Sequence, residues 1–171
     1  MLPLPIVETF DSALLELPAL LETPLHERTP RAEKWLTQVT AQAERFRLPL
    51  AADLALIRAD LTTYRPGREE WSADRRRMME RHVCECMEQA KDLIDSAFAR
   101  QRALCEQGGE ICLQLAAAAC ARRLIARGES VQAALAALRA DEALFPALTQ
   151  VIGTVGSANA AILLDRALAQ I

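Results

Sequence analysis

The stretch from Ser72 to about Gln107, SADRRRMMERHVCECMEQAKDLIDSAFARQRALCEQ, constrains this chain most, because it holds neither proline nor glycine and two glycines, Gly108 and Gly109, follow it. Ser72 stands where a capping hydroxyl belongs, and Asp74 falls in the first turn, where the positive end of the helix dipole favours an anion. Met79, Val83, Cys86, Ala90, Leu93, Ala97 and Leu104 repeat by fours and threes, interrupted only at Arg100. Met87, Ile94 and Phe98 widen that stripe on one flank, which suits a helix packed against more than one neighbour. At 1.5 Å per residue the helix would be about 50 Å long. The remaining helices are expected to gather around it.

Composition agrees with an all-helical chain. Of 171 residues 51% are hydrophobic, but only two Trp, one Tyr and four Phe are aromatic, so Leu and Ala dominate. Strands favour β-branched and aromatic residues, and no alternating run is present. The expectation is an all-α, single-domain helical bundle of six to eight helices around the 72–107 helix. Residues 1–8 would form an extended arm, because Pro3 and Pro5 disfavour helix. Residues 9–171 would form the bundle, with a sub-boundary near 108–109. Pro18 should kink the first helix or start another; Thr29-Pro30 should open the next, after a connector over Leu25 to Arg28. Leu48-Pro49 and Pro66-Gly67 read as breaks, Glu129-Ser130 as a cap, and Gly153 and Gly156 as a loop or close helix contact.

Charge and cysteine content narrow the function. A net charge of -3 argues against a chain that lives on nucleic acid. No apolar run reaches the roughly 18 residues that span a bilayer. The first ten residues lack the basic region of a signal peptide, so a cytoplasmic location is expected. Five cysteines without paired-loop spacing read as reduced thiols used as small hydrophobes.

Chemical motifs are sparse. His82 and Cys86, four apart, share a helix face while Cys84 points away. One helix thus offers two metal donors, and the others would have to come from Cys105, Cys112, Cys120 or His26. No metal and no cofactor are therefore expected. Cys112, read as lying in a helix's first turn, has no histidine to activate it. Phosphate loops, nucleophile elbows and calcium loops are missing from the sequence, so no catalytic residue is assigned and the chain is read as a non-enzyme. Arg75, Arg76, Arg77 and Arg81 are offset by Glu69, Glu70, Asp74 and Glu80, a solvated face with local pairing. Cys120 to Leu138 has a helix–turn–helix outline, but VQAALAALRAD offers only Gln132 and Arg139 to a groove.

What remains is a non-catalytic cytoplasmic adaptor, chaperone or assembly subunit acting through a protein partner or a homodimer, with no membrane role. Two partner-binding surfaces are expected. One is the arm, apolar at Leu2, Leu4, Ile6 and Val7. The other is an acidic stripe of Glu85, Glu88, Asp92 and Asp95 along the long helix. The alternatives are a ligand-binding or catalytic pocket around Met78, Met79, His82 and the cysteines, and a nucleic-acid-binding hairpin at 120–138.

Overall fold

The computed structural model describes residues 1–67, 72–126 and 128–171, so the Glu69 and Glu70 charges weighed above lie outside the described residues. The described residues form seven α-helices and no strand. These are α1 (Leu4–Leu21), α2 (Leu25–Arg45), α3 (Ala51–Thr63), α4 (Ser72–Ala121), α5 (Val131–Ala140), α6 (Phe145–Val155) and α7 (Ser157–Leu168). The chain divides into two compact units, one of Glu8–Phe98 and one of Met1–Val7 with Ala99–Ile171. Helices α1 and α4 run through both. The division falls inside α4, ahead of Gly108-Gly109.

Within Glu8–Phe98, α2 packs on α3. Phe10 meets Phe98 with ring centroids 5.1 Å apart, and the Trp35 indole N–H donates to the Ala13 carbonyl at 2.9 Å. The buried face of α4 here is Val83, Cys86, Met87, Ala90, Ile94 and Phe98. Met87, Ile94 and Phe98, placed on the flank by spacing alone, are thus its centre, while Ala97 is exposed. Helix α2 starts four residues ahead of the Thr29-Pro30 signal. Pro24 occupies its N-cap, and its carbonyl accepts from the Glu27 and Arg28 N–H groups. The expected connector is therefore the first turn. Pro18 is likewise carried inside α1 without ending it.

The other unit has its own core of Leu4, Cys105, Cys112, Leu115, Leu138, Leu148, Val151, Leu164 and their neighbours. Here the glycine pair does not end α4. A Cβ on Gly108 would lie 2.8 Å from Val155 Cγ1 and 3.2 Å from Leu163 Cδ1, so the missing side chain lets α4 approach α6 and α7 closely. Gly109 has only Leu163 nearby, at an ordinary 3.8 Å. The helix instead ends at Ala121, where Arg123 turns left-handed (φ 58°) and the Leu124 N–H reaches back to the Ala119 carbonyl. Ser130 caps α5 by accepting from the Ala133 N–H, as expected. Gly156, at φ 82°, separates α6 from α7.

The N-terminal segment departs most from expectation. It is helical from Leu4, because Pro5 sits in the first turn, where its missing N–H would have no helical partner anyway. The Leu4 N–H, one of those orphan donors, is taken by Asn159 Oδ1 at 2.7 Å. Asn159 Nδ2 donates to the Leu2 and Val155 carbonyls, each at 3.0 Å. Gln101 brackets Leu2 as well, accepting from its N–H and donating to its carbonyl. Asn159 is 3% exposed, and all of its polar atoms are used.

Two stability tests follow. Gly109→Ala should raise stability by about 0.5–1 kcal/mol through helix propensity. Gly108→Ala should lose that gain to overpacking of about 1–3 kcal/mol, because β-branched Val155 has little rotamer freedom to yield. Asn159→Leu should cost about 2–4 kcal/mol by stranding buried backbone groups. Urea unfolding followed by circular dichroism reads all three, and equal behaviour of the two glycine variants would refute the close approach.

Candidate functional site

The residues expected to carry partner binding separate into two fates. Leu4 and Val7 are buried and Leu2 and Ile6 half-buried in the chain's own fold, so the arm is not an extended segment offered to a partner. Its leucines are consumed at home, with Leu4 in the core that holds Cys112 and Leu148. Glu85, Glu88 and Asp92 stand exposed on α4, while Asp95 is half-buried and paired with Lys91 at 3.0 Å.

Glu88 and Asp92 also line a groove of about 480 Å³ between α1 and α4, within the Glu8–Phe98 unit. Its other walls are Leu14, Leu17, Pro18, Leu21, Met87 and Lys91. Pro18 is an exposed wall of this opening, and as a proline inside α1 it leaves the i−4 carbonyl without its usual donor. Leu15, 80% exposed, is on the same helix.

The second cluster forms where α3 ends against α4. Asp60 and Tyr64 are four apart at the C-terminus of α3, and His82 and Cys86 are four apart on α4, so each helix presents one pair on one face. Tyr64 stacks on the His82 ring at 3.9 Å between centroids with a 20° interplanar angle. His82 Nε2 lies 3.7 Å from Asp60 Oδ2 and 3.6 Å from Cys86 Sγ, and that sulfur is 3.8 Å from the same Asp60 oxygen. The accessibility is graded: Asp60 is exposed, His82 is 12% exposed at its side chain, and Cys86 is buried. Burial, then the neighbouring Asp60 carboxylate, pushes the Cys86 thiol up to about 11.

This geometry answers the nucleophile question. In a Cys–His–Asp relay the thiol and the carboxylate meet different ring nitrogens, one giving up a proton and the other orienting the base. Here both face Nε2. An activated thiol also needs a lowered pKa, and that of Cys86 is raised. Cys112 lies deep inside α4, nine residues before its end, instead of in a first turn, and burial pushes it to about 11 too.

The donors named from sequence as completing the set do not. Cys105 and Cys112 belong to the other unit's core with Cys120 packed against it, and His26 is exposed beside Glu27. Asp60 supplies the third donor. Met78 is exposed, and Met79 lines a depression with Leu25, His26, Thr29 and Arg76 that includes neither His82 nor a cysteine. Cys84 meets Arg28, whose guanidinium is 12% exposed and also reaches Glu80 at 3.3 Å and the Thr23 carbonyl at 2.9 Å. Arg122, within the helix–turn–helix outline, is engaged by Asp141 at 2.9 Å, and α5 turns Ala134 and Leu138 inward.

No family model, curated protein or solved structure matches this chain. Among the described residues no helix is long and apolar enough to cross a membrane.

The thiols should differ in reactivity. At pH 8 iodoacetamide should modify the half-buried Cys84 and Cys120 well before Cys86 and Cys112, which are buried and held protonated. Peptide mapping by mass spectrometry reads the order. Early labelling of Cys86 would contradict the burial and charge assigned to it.

Proposed function

We propose that this chain is a non-catalytic, cytoplasmic interaction protein, an adaptor or assembly subunit, and that its α1–α4 groove takes a helix from a partner. The observation that carries the reading is an apolar trough with an acidic lip. Leu14, Leu17, Pro18, Leu21 and Met87 line the trough, and Glu88 and Asp92 stand at its edge. Lys91 is neutralised by Asp95, so the lip is net negative. The matching occupant is an amphipathic helix with an apolar stripe flanked by Lys or Arg.

Magnitudes divide the work between the two surfaces. Each leucine-sized side chain buried in such a trough contributes about 1.5–3 kcal/mol before ordering costs. An exposed ion pair contributes about 0–1 kcal/mol. The trough therefore supplies affinity, and the acidic stripe mainly sets approach and salt sensitivity. Five free cysteines are consistent with a reducing compartment. The raised thiols and the shared Nε2 contact weigh against nucleophilic catalysis.

The test is co-purification from the native host with mass spectrometry, using the wild type, a Glu88→Lys/Asp92→Lys double variant and an Arg75→Glu control. A near-stoichiometric partner should be present with wild type and control, and depleted at least ten-fold with the double variant. Recovery indifferent to the reversal, or a monodisperse monomer with nothing bound, would defeat the proposal. A second copy of this chain as the sole companion would replace a heterologous partner by a homodimer and overturn the basic-helix assignment.

A further inference from the structure

The geometry points to a binding site for a zinc-class divalent ion, held by Asp60 Oδ2, His82 Nε2 and Cys86 Sγ with a fourth position left for water. The inference is independent of the groove and of what occupies it.

The two sulfur contacts, at 3.6 and 3.8 Å, are within reach of weak S–H hydrogen bonds, so the Asp60–His82 pair is what points to a ligand set. Asp60 and His82 at 3.7 Å are beyond the 2.7–3.2 Å of an N–H···O bond, so no good hydrogen bond holds them together. Bonds from zinc of about 2.3 Å to sulfur, 2.0–2.1 Å to nitrogen and 2.0–2.2 Å to oxygen, at tetrahedral angles, put donor atoms about 3.3–3.7 Å apart. The three separations here are 3.6, 3.7 and 3.8 Å. The His82–Cys86 edge lies inside that range, Asp60–His82 at its upper end and Cys86–Asp60 just beyond it, so a common ion needs a slight inward shift, chiefly of the Asp60 carboxylate. Among the described residues this is the group of donors that converges in this way.

The donor types agree with the distances. A thiolate, an imidazole and a carboxylate together suit zinc or a neighbouring first-row ion; magnesium and calcium prefer oxygen alone. Two of the three protein ligands are positioned from outside the set. Tyr64 stacks on the imidazole and fixes its plane, and burial fixes the sulfur. Asp60 lies on the solvent side, so its carboxylate marks the direction from which an ion and its water arrive. Three protein donors and one open position form the pattern of zinc sites that keep a water. Once bound, the ion would join the C-terminus of α3 to α4.

Cobalt(II) is the probe, because a cobalt–thiolate bond absorbs in the near ultraviolet. The full chain, without an added histidine tag, should take up one cobalt per molecule with that charge-transfer band, and zinc should displace it. The band should vanish in Cys86→Ala and persist in Cys84→Ala. Cobalt affinity should fall at least ten-fold in Asp60→Asn and in His82→Gln. Zinc should raise the melting temperature of the wild type, and a chelator should reverse the rise. Asp60 is 61% exposed at its side chain, so Asp60→Asn reports on the site even if the Cys86 variant folds poorly. Absence of a thiolate band, a band that survives Cys86→Ala, or affinity indifferent to Asp60→Asn would overturn the site.

Discussion

Contact at Gly108 is what allows one helix to serve both units. Helix α4 carries a buried stripe through Glu8–Phe98 and then continues into a region where α6 and α7 must lie against its backbone. Any Cβ at position 108 would sit 2.8 Å from a Val155 methyl, well inside ordinary van der Waals contact distance. Interiors are close-packed and yield little to an extra carbon. The alanines that follow, Ala116 and Ala119, are fully buried and extend the same economy of side-chain volume. The glycine costs helix propensity locally and recovers it in dispersion contacts across the interface.

Helix content was legible in the sequence, and so was the buried character of much of the long helix, because three- and four-residue spacing records which side faces a neighbour. Punctuation was less legible. Pro18 read as a kink or a fresh start, Thr29-Pro30 as a start and Gly108-Gly109 as a stop, yet each lies inside a helix. A breaker expresses a local preference of about 1–3 kcal/mol, which the burial of a few side chains overrides. Conversely, α4 ends on a non-glycine residue in the left-handed region, Arg123, which carries no local signal. The N-terminal segment misled for a related reason: its proline pair suits a first turn as well as it suits an extended strand, and only the distant Asn159 decides between them.

The two functional features were half visible. His82 and Cys86 stood out as donors on one face of one helix, but Asp60 resembled any other acidic residue on a short helix. What singles it out is that α3 ends on α4 with Asp60 and Tyr64 in register with His82 and Cys86, a tertiary fact. Likewise, Glu88 and Asp92 showed as half of an acidic stripe, and only the fold sets Leu14 and Leu21 beside them. In both cases the chemistry depends on a pairing of helices that periodicity within either one does not encode.

The capping of Leu4 by Asn159 joins residues 155 positions apart, and this has a consequence for how the chain matures on the ribosome. Translation proceeds at roughly 5–20 residues per second, so the capping amide is made about 8–30 seconds after the backbone it caps. For that interval Leu4 has no finished core to enter. The Glu8–Phe98 unit is complete in sequence long before, and can condense first. That interval is when a nascent-chain chaperone would find Leu4 exposed, and α7, which carries Asn159, is the helix that withdraws it.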